Sequence, residues 1–175
     1  MANTFTLIAS STVGSGGAAN ITFSSIAGTY TDLCVKISGR GDASGTSDAG
    51  IKLTFNGNTS SYSHRYLIGT GSAASSGTNA YSVGTASIYA GTMDATTATS
   101  NTFSNTEIYI PNYTSSNYKS VSIDSVDEDN TTLAYAVLIA GLWSNTAAIT
   151  SVALTPTTGN FVQYSTAYLY GVKSS

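Results

Sequence analysis

The chain has 175 residues, of which 41% are apolar and only 9% charged, with a net charge of −3; a typical soluble protein carries about 25% charged residues. That length suffices for one domain with a sizeable core, and the whole of 1–175 is read as one domain. The six cations Lys36, Arg40, Lys52, Arg65, Lys119 and Lys173 are scattered, which argues against nucleic-acid binding, since that needs clustered phosphate neutralisation.

Serine, threonine, asparagine and glycine replace the missing charges, so the surface is solvated by hydroxyls and amides. Twelve tyrosines, five phenylalanines and many Val, Ile and Leu argue for a folded core rather than disorder. The longest apolar run, 133–142, is strand length, well short of the roughly 20 residues of a membrane span. The opening "MANTFTLIASS" lacks the basic flank and long apolar stretch of a signal peptide. A single cysteine, Cys34, excludes an internal disulfide and is expected to be a small buried hydrophobe. Synthesis in a cytoplasm and folding without covalent staples are therefore expected.

Short β-branched and aromatic runs separated by Gly, Asn and Ser clusters predict strands over 4–9, 20–23, 32–38, 51–55, 63–68, 80–89, 106–110, 119–125, 132–139, 148–154 and 162–170. In "DLCVKIS", Leu33, Val35 and Ile37 share one face and Cys34 and Lys36 the other. In "KSVSIDSV", Val121, Ile123 and Val126 nearly share a face, and Ser120, Ser122 and Asp124 oppose them. One dry and one wet face is the mark of antiparallel sheets packed in layers. "LAYAVLIAGLW" reads as a central strand buried on both faces. In the final segment Val162, Tyr164, Thr166, Tyr168 and Tyr170 fall on one parity, and a strand ending "YLYGV" is expected to pair beside the N-terminal strand. The fold expected is all-β: one antiparallel sandwich of jelly-roll type, about eleven strands. Its core would include Leu33, Val35, Ile37, Leu53, Ile108, Val121, Ile123, Val137, Ile139, Trp143, Ile149, Val152 and Leu169. Residues 39–50, 69–80 and 91–105 read as long loops, and Pro111 as a strand end.

Chemistry-bearing residues are few. The one histidine, His64, sits on a strand without nucleophile-elbow glycines, so a structural or surface role is expected. "DSVDEDN" places Asp124, Asp127, Glu128 and Asp129 together without the spacing or glycine of a calcium loop, and reads as a solvated turn. Arg40-Gly41-Asp42 spells an integrin-recognition tripeptide, read here as a plain turn. No metal, cofactor or catalytic residue is expected. Tyr62, Tyr66, Tyr81, Tyr89, Tyr109 and Tyr113 flank the long loops or the Pro111 turn and are the candidate interface residues.

Four stretches carry a family resemblance: "MANTFTLIASSTVGSGGAANITFSSIAGTYTDLCVKISGR", "LTFNGNTSSYSHRYL", "NTEIYIPNYTSSNYKSVS" and "AGLWSNTAAITSVAL…GNFVQYSTAYLYGV". They resemble small all-β virion proteins of tailed bacteriophages, common in marine and cyanobacterial phages. The resemblance implies a structural, non-enzymatic virion component. It would be a head decoration or cement protein contacting the major capsid protein or other virion proteins; on that reading a homo-oligomer, a trimer, is expected. The alternative it leaves open is a tail-fibre or receptor-binding module recognising host surface glycans through Tyr, Asn and Asp.

Overall fold

The computed structural model describes residues 4–129 and 134–173. Twelve strands form it: β1 (Phe5–Thr12), β2 (Ile21–Phe23), β3 (Asp32–Gly39), β4 (Asp48–Phe55), β5 (Tyr62–Gly69), β6 (Ala74–Gly77), β7 (Ile88–Asp94), β8 (Ser104–Ile110), β9 (Lys119–Asp127), β10 (Tyr135–Trp143), β11 (Val152–Pro156) and β12 (Thr166–Val172). One sheet runs β1-β12-β3-β8-β9-β10-β5-β6, the other β2-β11-β4-β7, and every strand pairing is antiparallel. This is the expected β-sandwich.

The strand order resolves into a scaffold and an addition. Four strands, β1-β12-β3-β8, face β2-β11-β4-β7, and the chain alternates between the two layers as a jelly roll does. The β5–β6 hairpin is inserted between β4 and β7, and the β9–β10 hairpin between β8 and β11. Both insertions join the same sheet edge and double its width. The final strand β12 lies between β1 and β3, with Leu169 opposite Ala9 and Val35, so the last strand is interior to its sheet and the first is the edge strand paired to it.

Leucine, isoleucine and valine on alternate positions fill the space between the layers, and all thirteen expected core residues are buried. At one end Trp143 stacks on Tyr62, with ring centres 6.1 Å apart, and both pack against Phe55. Burying large rings at such offsets adds attraction beyond the area removed from water.

Several expectations are corrected. Residues 80–89 are not one strand: Ala80–Ser82 form a 3-10 turn with Tyr81 at φ 50°, and the strand begins at Ile88. The loops are shorter than expected, because β4 starts at Asp48, β6 lies within 69–80 and β7 runs to Asp94. In the last segment the strand starts at Thr166, and the buried parity is Ala167, Leu169 and Gly171, with the tyrosines outward. The strand expected over 132–139 begins at Tyr135; its positions 132 and 133 lie outside the described residues. That strand, β10, is central in its sheet but not buried on both faces. Val137, Ile139 and Trp143 point inward, whereas Ala136, Leu138 and Ala140 are exposed.

Candidate functional site

The inserted strands expose an apolar face. On the outer side of the large sheet, Leu67 (β5) lies opposite Leu138 (β10), which lies opposite Asp124 (β9). The next outward row is Arg65, Ala140 and Ser122, and on the other side come Gly69, Ala136 and Val126. Leu67, Leu138 and Val126 keep 51%, 57% and 44% of their surface in water, so Val126 faces outward with Asp124 and not inward with Val121 and Ile123 as expected. Further along the leucine row, Glu107 accepts an ion pair from Lys36 at 2.6 Å. Arg65 gives one hydrogen bond to the His64 carbonyl at 2.9 Å. Among the described residues, neither Arg65 nor Asp124 has an ionic partner.

A recess of about 320 Å³ opens at the edge of this addition, lined by Tyr66, Ile68, Thr70, Ser75, Ala80, Tyr81, Tyr89 and Tyr135. Tyr89 forms its floor, with Tyr66 edge-on at 6.0 Å and Tyr81 stacked at 5.5 Å. The Tyr81 hydroxyl donates to the Asp48 carboxylate, which together with burial pushes its acidity far down. Position 50 is glycine because a Cβ there would stand 2.8 Å from the Tyr81 ring.

The six tyrosines singled out from sequence divide. Tyr62, Tyr89 and Tyr113 are buried, with only a sliver of Tyr89 showing at the recess floor, which corrects their assignment as interface anchors. The Tyr62 hydroxyl accepts from Phe55 N–H at 2.8 Å, and that of Tyr113 donates to the Ala27 carbonyl. Tyr109 is half-buried, on the outer face beside Cys34. It donates to Asp32 at 2.5 Å, and that bond, with burial and the Asp32 charge, pushes its pKa up to about 12. Only Tyr66 and Tyr81 come together at one opening, with Tyr135, which sequence reasoning did not single out.

Beneath the outer face, β7 crosses the inner side of β9 through a seam of polar groups. The Ser125 hydroxyl bonds Thr106 at 2.9 Å and accepts from Thr92 N–H at 3.3 Å. One step along each strand pair lie Asp94 and Asp127, 1% and 5% exposed. The expectation of a solvated acidic turn is therefore wrong for Asp127 and Asp129, both buried, while Asp124 is exposed. Ionised carboxylates would leave both Asp94 oxygens and Asp127 Oδ2 without a donor. Burial, the hydrogen bond to Asp94 and the neighbouring charges of Asp94, Asp48 and Asp129 push Asp127 up to about 8. The direction of that shift favours a proton on the pair, where the buried oxygens otherwise lack a donor. Two like charges cannot both ionise in so small a dry space. Among the described residues, no three His, Cys, Asp or Glu side chains are grouped so as to hold a metal ion.

The remaining candidates are structural. His64 is buried with neither ring nitrogen bonded, and burial holds its pKa below the ordinary value. Cys34 is fully buried, and burial raises its pKa to about 11. Arg40 sends its guanidinium to the carbonyls of Ala95, Ala98, Thr99 and Thr102, and Asp42 accepts from Asn160 N–H at 2.6 Å. The tripeptide is thus occupied inside the fold. No family model, curated protein or solved structure matches this chain.

Proposed function

We propose that this chain is a structural component of a tailed-phage virion, a head decoration or cement protein acting through protein–protein contacts. Its partners would be the major capsid protein or neighbouring virion proteins, and the chain would be homo-oligomeric and non-enzymatic. The observation that carries the reading is the leucine-bearing outer face on β9, β10 and β5, set on a scaffold with both terminal strands pinned. Contiguous exposed apolar surface of this kind usually marks a contact site. The leucine part of such a contact loses little strength as salt rises, because screening acts on charges and not on apolar burial. Jelly rolls also build viral coats and lectins; that is analogy, and it supports the reading only beside the face itself.

Particles lacking the protein provide the test. Adding the purified chain is expected to raise their resistance to heat or osmotic shock. Particles left no sturdier would defeat the decoration reading. The tyrosine recess favours a second reading, a fibre module that binds glycan by stacking sugar rings on Tyr66, Tyr81 and Tyr135. Binding of host polysaccharide together with unaltered particles would put that reading in its place.

A further inference from the structure

We infer that the outer face of β9, β10 and β5 pairs with the same face of a second copy of this chain about a two-fold axis, forming a dimer. The inference rests on the reading of that face as a protein-contact surface. Strands about 4.8 Å apart, rising about 3.4 Å per residue, set the geometry. Arg65 and Asp124 lie one strand to either side of β10, two residues out of line. Their Cα atoms are therefore about 12 Å apart on a flat approximation of the sheet, too far to pair within one copy. The separation leaves a cation and an anion unpaired on opposite sides of a leucine.

A two-fold rotation removes that mismatch. The axis lies in the plane of the face, passes between Leu138 and Ala140, and is inclined about 35° to β10 on the same lattice. It brings Arg65 of each copy over Asp124 of the other. The same operation lays Leu138 of one copy against Leu67 of the other. An isologous contact requires this kind of self-complementarity: if one patch meets a second, the second must meet the first. The Lys36–Glu107 pair is internally compensated, so it neither competes for Arg65 nor adds repulsion. Ser63, Ser120 and Ser122 border the leucines and supply a polar rim. The rows of charge and leucine match across a two-fold and offer nothing comparable across a three-fold, so the geometry points to a dimer where the decoration reading had led to the expectation of a trimer.

Sedimentation equilibrium on the purified full chain, from low micromolar to about 100 µM, tests this. The wild type is expected to pass from monomer to dimer over that range. Arg65→Glu and Asp124→Arg should each weaken association by about tenfold or more, and combining them should restore it, because the pair is then merely reversed. Leu138→Asp should also give monomers. All three positions are exposed, so circular dichroism should be unchanged. A wild type that stays monomeric, or that forms a trimer, overturns the inference without reference to any variant. A double variant no better than either single one overturns the Arg65–Asp124 pairing. No virion is present in this experiment, so its failure is distinguishable from failure of the particle-stabilisation test.

Discussion

The Arg40 guanidinium is ringed by backbone carbonyls of the segment that follows β7. Its planar fork reaches four of them and the Thr102 hydroxyl, at 2.8–3.2 Å. Removing it leaves those acceptors to water and unties the segment from the β3 end. Arg40→Ala should lower stability by about 2 kcal/mol, the range for hydrogen bonds to a charged group. Arg40→Lys should recover only part, since an ammonium cannot bridge two carbonyl pairs in one plane. Urea unfolding measures both; an alanine variant with an unchanged midpoint would remove the clamp from the account.

The Asp94–Asp127 pair makes stability depend on pH in a direction opposite to that of most carboxylates. Burial and the neighbouring carboxylates push Asp127 up to about 8 in the folded chain, from 3.8 ordinarily. Between those values the folded state holds a proton that the unfolded state has lost, so stability falls as pH rises, by up to about 1.4 kcal/mol per unit. Above about pH 8 both states have lost it and the dependence flattens. His64 acts the other way in acid: its folded pKa is depressed, so stability falls as pH drops below the unfolded value of about 6.5. The clean window is therefore pH 6.5 to 8. The melting temperature should fall across it, and Asp127→Asn should flatten the fall. A wild-type melting temperature constant over that window would contradict a shared proton. None of this was legible in "DSVDEDN", because alternation assigns a parity but not which strand crosses above it. Tyrosine raised the same difficulty. Its ring suits the core and its hydroxyl suits water, so burial of Tyr62, Tyr89 and Tyr113 was settled by what lay opposite them.

Among the elements, β10 shows how pattern and environment part company. Its unbroken apolar run suggested burial on both faces, yet the second sheet covers only one. Trp143 on its inner side is 1% exposed and stacked on Tyr62. Trp143→Ala should cost about 3–5 kcal/mol through lost burial and the cavity left behind. A cost under about 1 kcal/mol, read from unfolding curves, would mean that the aromatic cluster is not packed as described. β7 was invisible for a different reason. It is written "IYAGTMD", and Gly91 breaks its pattern. Gly91 has φ 100°, and a Cβ there would stand 2.5 Å from Ser125 Cβ and closer still to its Oγ. The glycine permits the close crossing of β7 over β9 and marks the register shift opposite β4. Gly91→Ala should destabilise by about 3 kcal/mol from backbone strain and overpacking together. Similarly β6, "ASSG", carries no strand propensity and is a strand only because β5 offers it an edge. The thirteen core positions were legible because Leu, Ile and Val on alternate sites admit one reading once a single buried face exists.

At the scale of the whole molecule, an eight-strand jelly roll carries four added strands, and the exposed leucines and the tyrosine recess lie largely on the addition. The scaffold explains how so charge-poor a chain folds without an internal disulfide; the addition carries the surface proposed for contact. The stretches 39–50 and 91–105, read from sequence as long loops, are braced against each other. Residues 43–47 and 95–97 bond one another backbone to backbone, so contact is assigned to the sheet face. That assignment could not come from sequence, since it depends on two hairpins far apart in the chain joining one edge. The central claim is that the protein is a structural part of a virion head, and locating it in a reconstruction of the particle tests this most directly. The account predicts density for this two-layered sandwich repeated over the head lattice, with β9, β10 and β5 buried in a protein contact. Finding it at a fibre tip with that face in solvent, or not finding it on the particle, would contradict the claim.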